Sequence, residues 1–162
     1  MSHLVSTIEI DRPPDEVFAY LTDPTRFPDW QPDVLSVRME TGRWGVGSRF
    51  TTTRRIGHTD RTMTQEVTHH DPPTSWAVNG VDGPIRPHAS ITVDPLDDGM
   101  RSRVTFTLGF EGHGIGIPLV PMINRMAAKA APTSYDNAKR LLEGRQHLPG
   151  QVHDQGPSGN PR

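Results

Sequence analysis

RSRVTFTLGFEGHGIGIPLVPMINRMAAKAAPTSYDNAKRLLEG, residues 101–144, changes its hydrophobic period part-way along. In its first third Val104, Phe106, Leu108 and Phe110 alternate with Thr105, Thr107 and Gly109, the period of two of a half-buried strand. From Ile117 onward the apolar positions are Leu119, Met122, Ile123, Met126, Ala127 and Ala130, then Ala138, Leu141 and Leu142. Steps of three and four trace one stripe of a helix. The switch after Gly116 therefore predicts a strand followed by one long helix over most of residues 119–142. Pro132 falls inside that helix and predicts a kink, because proline lacks a backbone donor and crowds the preceding turn. Gly144 is the candidate C-cap.

Working back toward the N-terminus, short alternating runs follow one another between turn signals. Residues 85–93 place Ala89, Ile91 and Val93 in phase, and Asp97-Asp98-Gly99 reads as the hairpin turn after them. Residues 75–79 form a short strand carrying Trp76 and Val78. In residues 61–70 Met63, Gln65, Val67 and His69 share one face; in residues 48–56 Phe50, Thr52, Arg54 and Ile56 do so. Residues 34–40 are the first strand of this series. Before it, residues 4–11 alternate through Ile8 and Ile10. Pro13-Pro14-Asp15-Glu16 then opens a short helix. Asp23-Pro24 interrupts that helix, and Phe27 and Trp30 lie three apart on a second one. Short turns between successive strands imply an antiparallel meander. The expected fold class is α+β: a curved antiparallel sheet of six to seven strands gripping a long C-terminal helix, with two short helices after the first strand. A strongly twisted sheet covered by a single helix leaves space between the two, and such a space predicts a mostly apolar ligand cavity. Residues 1–144 read as one domain. Residues 145–162 are rich in Pro, Gly, Gln and His and read as a disordered tail.

Composition narrows the function classes. The chain has 162 residues, enough for one sizeable core. Its net charge of −2 carries no footprint for nucleic acid or an anionic membrane. No cysteine is present, which excludes disulfides, thiolate metal sites and a cysteine nucleophile together. No apolar run is long enough to span a bilayer, and residues 1–11 lack the pattern of a signal peptide. The expectation is a cytoplasmic protein with no membrane insertion and no nucleic-acid partner; a homodimer stays open. No cofactor motif is found. The spacing of Gly112, Gly114 and Gly116 fits neither a dinucleotide fingerprint nor a P-loop and reads as a flexible entrance loop before the helix. His69 and His70 point to opposite faces of a strand, so no metal site is expected from them.

Four stretches carry a resemblance to a known superfamily: STIEIDRPPDEVFAYLTDPTRFPDWQPDV at residues 6–34, VGSRF at 46–50, RSRVTFTLGFEG at 101–112 and NAKRLLEG at 137–144. Together they resemble the SRPBCC, or START-like helix-grip, superfamily, the polyketide cyclase/dehydrase and lipid-transport group. The resemblance runs from about Ser6 to Gly144. It implies a helix-grip fold with a deep cavity, and activities ranging from ligand transport to aromatase or cyclase chemistry. No superfamily-wide catalytic motif maps onto this chain, so no catalytic residue is assigned.

The candidate ligand-binding residues are Phe27, Trp30, Phe50, Arg54, Gln65, Val67, His69, Trp76, Phe106, Leu108, Met122 and Met126. Phe27 and Trp30 would line the pocket mouth or pack in the core. Arg54 shares the phase of Phe50 and Ile56, so its guanidinium needs a partner or a ligand anion, unless it snorkels out at the strand end. Gln65 and His69 are candidate polar anchors, His69 also a proton shuttle, against the plainer reading of an exposed strand-end histidine. A Met122–Met126 pair suits an irregular ligand surface. Arg86 and His88 face solvent by alternation unless a bulge at Pro87 reverses them. The first functional reading is a carrier or sensor for a lipid-like or polyketide-like molecule. The second is a cyclase, aromatase or dehydratase using the same cavity, and the third is a protein-interaction domain.

Overall fold

The computed structural model describes residues 3–40 and 42–144. Seven strands, β1 (His3–Ile10), β2 (Val34–Met39), β3 (Arg49–Ile56), β4 (Thr59–Asp71), β5 (Ser75–Gly80), β6 (Ile85–Leu96) and β7 (Arg101–Gly112), form one sheet. Every pairing is antiparallel, in the order β1-β7-β6-β5-β4-β3-β2. Strands β2 to β7 make the meander that the alternating runs predict, and β1 pairs along β7. Two short helices, α1 (Pro14–Leu21) and α2 (Phe27–Trp30), lead from one edge strand to the other. A long helix, α3 (Val120–Glu143), packs against β1, β7 and α2. The α+β architecture is the expected one. The tail assigned to residues 145–162 lies outside the described residues.

Local chemistry sets the element boundaries. α1 starts at Pro14, whose missing donor costs nothing in a first turn, with Asp15 and Glu16 beside the N-terminal N–H groups. It ends where the Thr22 hydroxyl donates to the Phe18 carbonyl at 2.8 Å. Asp23 then accepts the Thr25 N–H at 3.0 Å and caps a single 3₁₀ turn, Pro24–Arg26. α3 runs as one helix through Pro132, which sits on its exposed side. Its buried positions are Ile123, Ser134, Ala138 and Leu142. Gly144 ends it with a bond from its N–H to the Arg140 carbonyl at 2.9 Å, at an ordinary φ of −73°.

Two details of register decide which side chains face inward. Between Val67 and His69 the β4–β5 pairing shifts by a bulge, so His69 lies opposite Ala77 and His70 opposite Trp76. A bulge carries one extra residue and reverses the alternation beyond it. By contrast, β6 and β7 pair without interruption from Ile85 to Leu96, so Pro87 causes no reversal. Its ring packs where β5 ends at Gly80: a Cβ there would lie 2.6 Å from Pro87 Cδ. His88 accordingly stays on the outer face, bonded to Asn79 at 2.8 Å and to Glu111 at 3.0 Å.

The segment between β7 and α3 departs from the expected flexible loop. Residues Gly114–Leu119 form a 3₁₀ turn packed onto the β5–β6 connection. A Cβ on Gly116 would collide with the Pro84 carbonyl oxygen, and the His113 N–H donates to that same oxygen at 2.8 Å. Close backbone approach, not mobility, explains the glycine there.

Candidate ligand-binding site

The inner face of the sheet carries the core, and aromatic rings build its centre. The Phe27 ring stands edge-on to Trp30, Phe50 and Trp76 at centroid distances of 5.8, 5.9 and 6.3 Å. On the α3 side, Phe106 stacks on Tyr135 at 3.9 Å with the planes 10° apart. Beside this aromatic wall, between the sheet and α3, lies a cavity of about 210 Å³. The sheet contributes Met63, Val78, Ile91, Phe106, Leu108 and Phe110, and α3 contributes Ile123, Met126, Ala127, Ala130 and Ala131. The alanines matter: small side chains on the helix face keep the space open that leucines would fill.

Of the twelve sequence candidates, eight line this cavity: Phe27, Trp30, Arg54, Gln65, Trp76, Phe106, Leu108 and Met126. Phe27 and Trp30 are 4% and 3% exposed, so they are core and cavity wall at once. Four candidates lie elsewhere. Phe50 and Val67 are fully buried in the packed core, with Phe50 stacked against Trp76 at 6.4 Å. Met122 is 48% exposed, because the buried stripe of α3 begins at Ile123 and position 122 is turned outward. His69 is carried by the bulge to the outer face, where its Nε2 meets the Ser75 hydroxyl at 2.6 Å. His70 takes the inward position and packs near Phe18, beside a second, more open groove between α1 and residues 42–49.

Several polar groups in the cavity lining make no hydrogen bond among the described residues: the Trp30 and Trp76 indole N–H groups, the Gln65 amide, and the hydroxyls of Ser90, Thr107, Ser134 and Tyr135. Gln65 and Ser134 are 4% and 6% exposed. Burial pushes the Tyr135 hydroxyl up to about 12 against the opposing pull of the Arg54 charge, so it remains a protonated donor at working pH. Sequence reading missed Ser134 because it breaks the apolar stripe, although a serine at helical spacing between Ala130 and Ala138 was the available signal.

Arg54 does face inward, and the partner it requires is supplied within the chain. Its Nη1 donates to Asp33 Oδ2 at 3.0 Å and its Nη2 to Gln31 Oε1 at 2.8 Å. Both partners sit on the short turn between α2 and β2, closed by the Val34 N–H bonding the Gln31 carbonyl at 3.0 Å. The Arg55 N–H bonds the Asp33 carbonyl at 2.8 Å and ties that turn to β3.

The family model for polyketide cyclase / dehydrase and lipid transport matches residues 1–143. The chain belongs to that family. Solved structures share its fold at low identity. The Zhui aromatase/cyclase from Streptomyces sp. R1128 superposes with a TM-score of 0.77 at 16% identity, over 93% of this chain and 99% of that one. TTHA0849 from Thermus thermophilus gives 0.74 at 15%, over 90% and 100%. The di-domain ARO/CYC BexL from the BE-7585A biosynthetic pathway gives 0.70 at 17%, over 91% of this chain and 48% of that one. This chain thus spans about half the length of that two-domain protein. No curated protein sequence matches the chain. At these identities the likeness is one of fold, and family members with this fold take different roles, so function rests on the site. Among the described residues, no helix of this family member is long and apolar enough to cross a membrane, and no group of three or more His, Asp or Glu side chains is arranged to hold a metal ion.

Proposed function

We propose that this protein binds a hydrophobic small molecule, lipid-like or polyketide-like, in the cavity beneath α3, as a carrier or sensor in the cytoplasm. The observation that carries the reading is the cavity itself, about 210 Å³ walled by aromatic and aliphatic side chains and furnished with unpartnered polar groups. A cavity near 150 Å³ already holds a benzene-sized ligand, so this one suits roughly a two-ring or medium-chain group. The family description and the aromatase/cyclase relatives support a ligand of this class.

The cyclase, aromatase or dehydratase reading needs a general acid or base within reach of the bound molecule. The one carboxylate in the lining, Asp33, is held by Arg54; the Tyr135 hydroxyl, pushed up to about 12, is no base at working pH and only a weak proton source; and no histidine lines the cavity among the described residues. Those features favour binding over chemistry. Native mass spectrometry of the freshly purified full chain tests the proposal. The expected spectrum contains a protein mass raised by a small molecule that is lost on denaturation and is apolar on extraction. A spectrum of bare protein, together with no response to apolar dyes, would leave the interaction-domain reading in its place. The same spectrum reports whether the chain is a homodimer.

A further inference from the structure

Resting on that binding reading, we propose that Asp33 makes the cavity selective for uncharged ligands: by occupying the Arg54 guanidinium it leaves no free positive charge to receive a ligand anion. The lining contains three charged side chains, Asp33, Arg54 and Arg55. Arg54 is held by Asp33 at 3.0 Å and by Gln31 at 2.8 Å. Arg55 is held by Asp60 at 2.9 Å. A carboxylate entering this space would give up its hydration without gaining a cation, and would approach the Asp33 carboxylate of the same sign. Burying a charge without a partner is strongly unfavourable.

The polar groups that are available are neutral. The Gln65 amide offers a donor and an acceptor, and the Ser134 and Tyr135 hydroxyls each offer both. They suit ketone, hydroxyl, ester or amide oxygens on an otherwise apolar molecule. The filter is fixed in place before any ligand arrives, because Gln31 and Asp33 share the closed turn that backbone bonds pin to β3. Specificity here comes from an element that disfavours the wrong ligand as much as from contacts to the right one.

A matched pair of probes separates charge from shape. 2-Naphthamide and 2-naphthoate are nearly isosteric and differ by one negative charge at pH 7.5. Binding is read by quenching of tryptophan fluorescence, since Trp30 and Trp76 line the cavity. The wild-type full chain is expected to bind the amide at least tenfold more tightly. Asp33→Asn should raise naphthoate affinity at least tenfold and leave naphthamide within about threefold. Arg54→Met should keep naphthamide binding and still reject naphthoate, which provides a second reading if Asp33→Asn does not fold. Wild-type protein that binds both probes equally, or prefers naphthoate, would overturn the charge filter while leaving ligand binding intact. Unchanged naphthoate affinity in a folded Asp33→Asn variant would remove Asp33 from the role. If neither probe binds wild type, the ligand-binding reading falls and the filter with it.

Discussion

Replacing Met126 with tryptophan asks whether the space beneath α3 is a void or a packed core. Met126 lines the cavity from the helix side. The larger side chain adds roughly 65 Å³ at ordinary interior packing density, about a third of the 210 Å³ available. What remains is close to the roughly 150 Å³ needed for a single benzene ring, so a naphthalene-sized dye should lose at least tenfold in affinity. The stability effect has a sign worth measuring. Filling a void recovers about 24 cal/mol for each Å³, which gives about 1.5 kcal/mol of stabilisation for 65 Å³. Forcing the same atoms into a packed interior costs about 1–3 kcal/mol instead. For a chain of this size 1 kcal/mol moves Tm by about 2–4 °C. Met126→Trp should therefore show an unchanged or higher Tm in a thermal melt, together with loss of binding of an apolar fluorescent dye. A Tm lower by more than about 5 °C, with no dye binding by wild type, would refute the cavity argument.

Two further substitutions test how the fold holds the site. Burial works against the ionised Glu143 carboxyl, but the Asp11 N–H, the Lys139 ammonium and the charge of Arg12 together hold it below its ordinary 4.5. A carboxyl lowered in the folded state contributes stability above its unfolded value and loses it as the pH falls through the folded one; the acid limb of a urea-midpoint profile below pH 4.5 should be shallower in Glu143→Gln, and an identical limb would contradict the assignment. Gly116→Ala should lower stability by about 2 kcal/mol or more in chemical denaturation, since its Cβ would run into the Pro84 carbonyl oxygen; a neutral result would show that the β7–α3 connection yields easily.

The sequence by itself determined the order and type of the elements. The change of period after Gly116, the Pro14 helix start and the Asp97-Asp98-Gly99 turn are each decided within a few residues, and local sterics and one-face burial leave little choice at such positions. Alternation alone also sent Arg54, Gln65, Phe106 and Leu108 to the cavity side, where they stand. Tertiary structure decided what alternation cannot carry. A bulge at Val67–His69 moves one histidine out and its neighbour in, and nothing in THHD marks where the extra residue goes. Phe50 and Val67 share the inward face of the true lining residues but are fully buried in the packed core, Phe50 against the rings of Phe27 and Trp76, a matter of packing density rather than phase. Met122 and Ile123 are both apolar, and only the docking of α3 chooses between them. The partner of Arg54 is the plainest case. Asp33 lies 21 residues away, and an ion pair between side chains that distant in sequence exists only once the Val34–Arg54 pairing of β2 with β3 has brought them together.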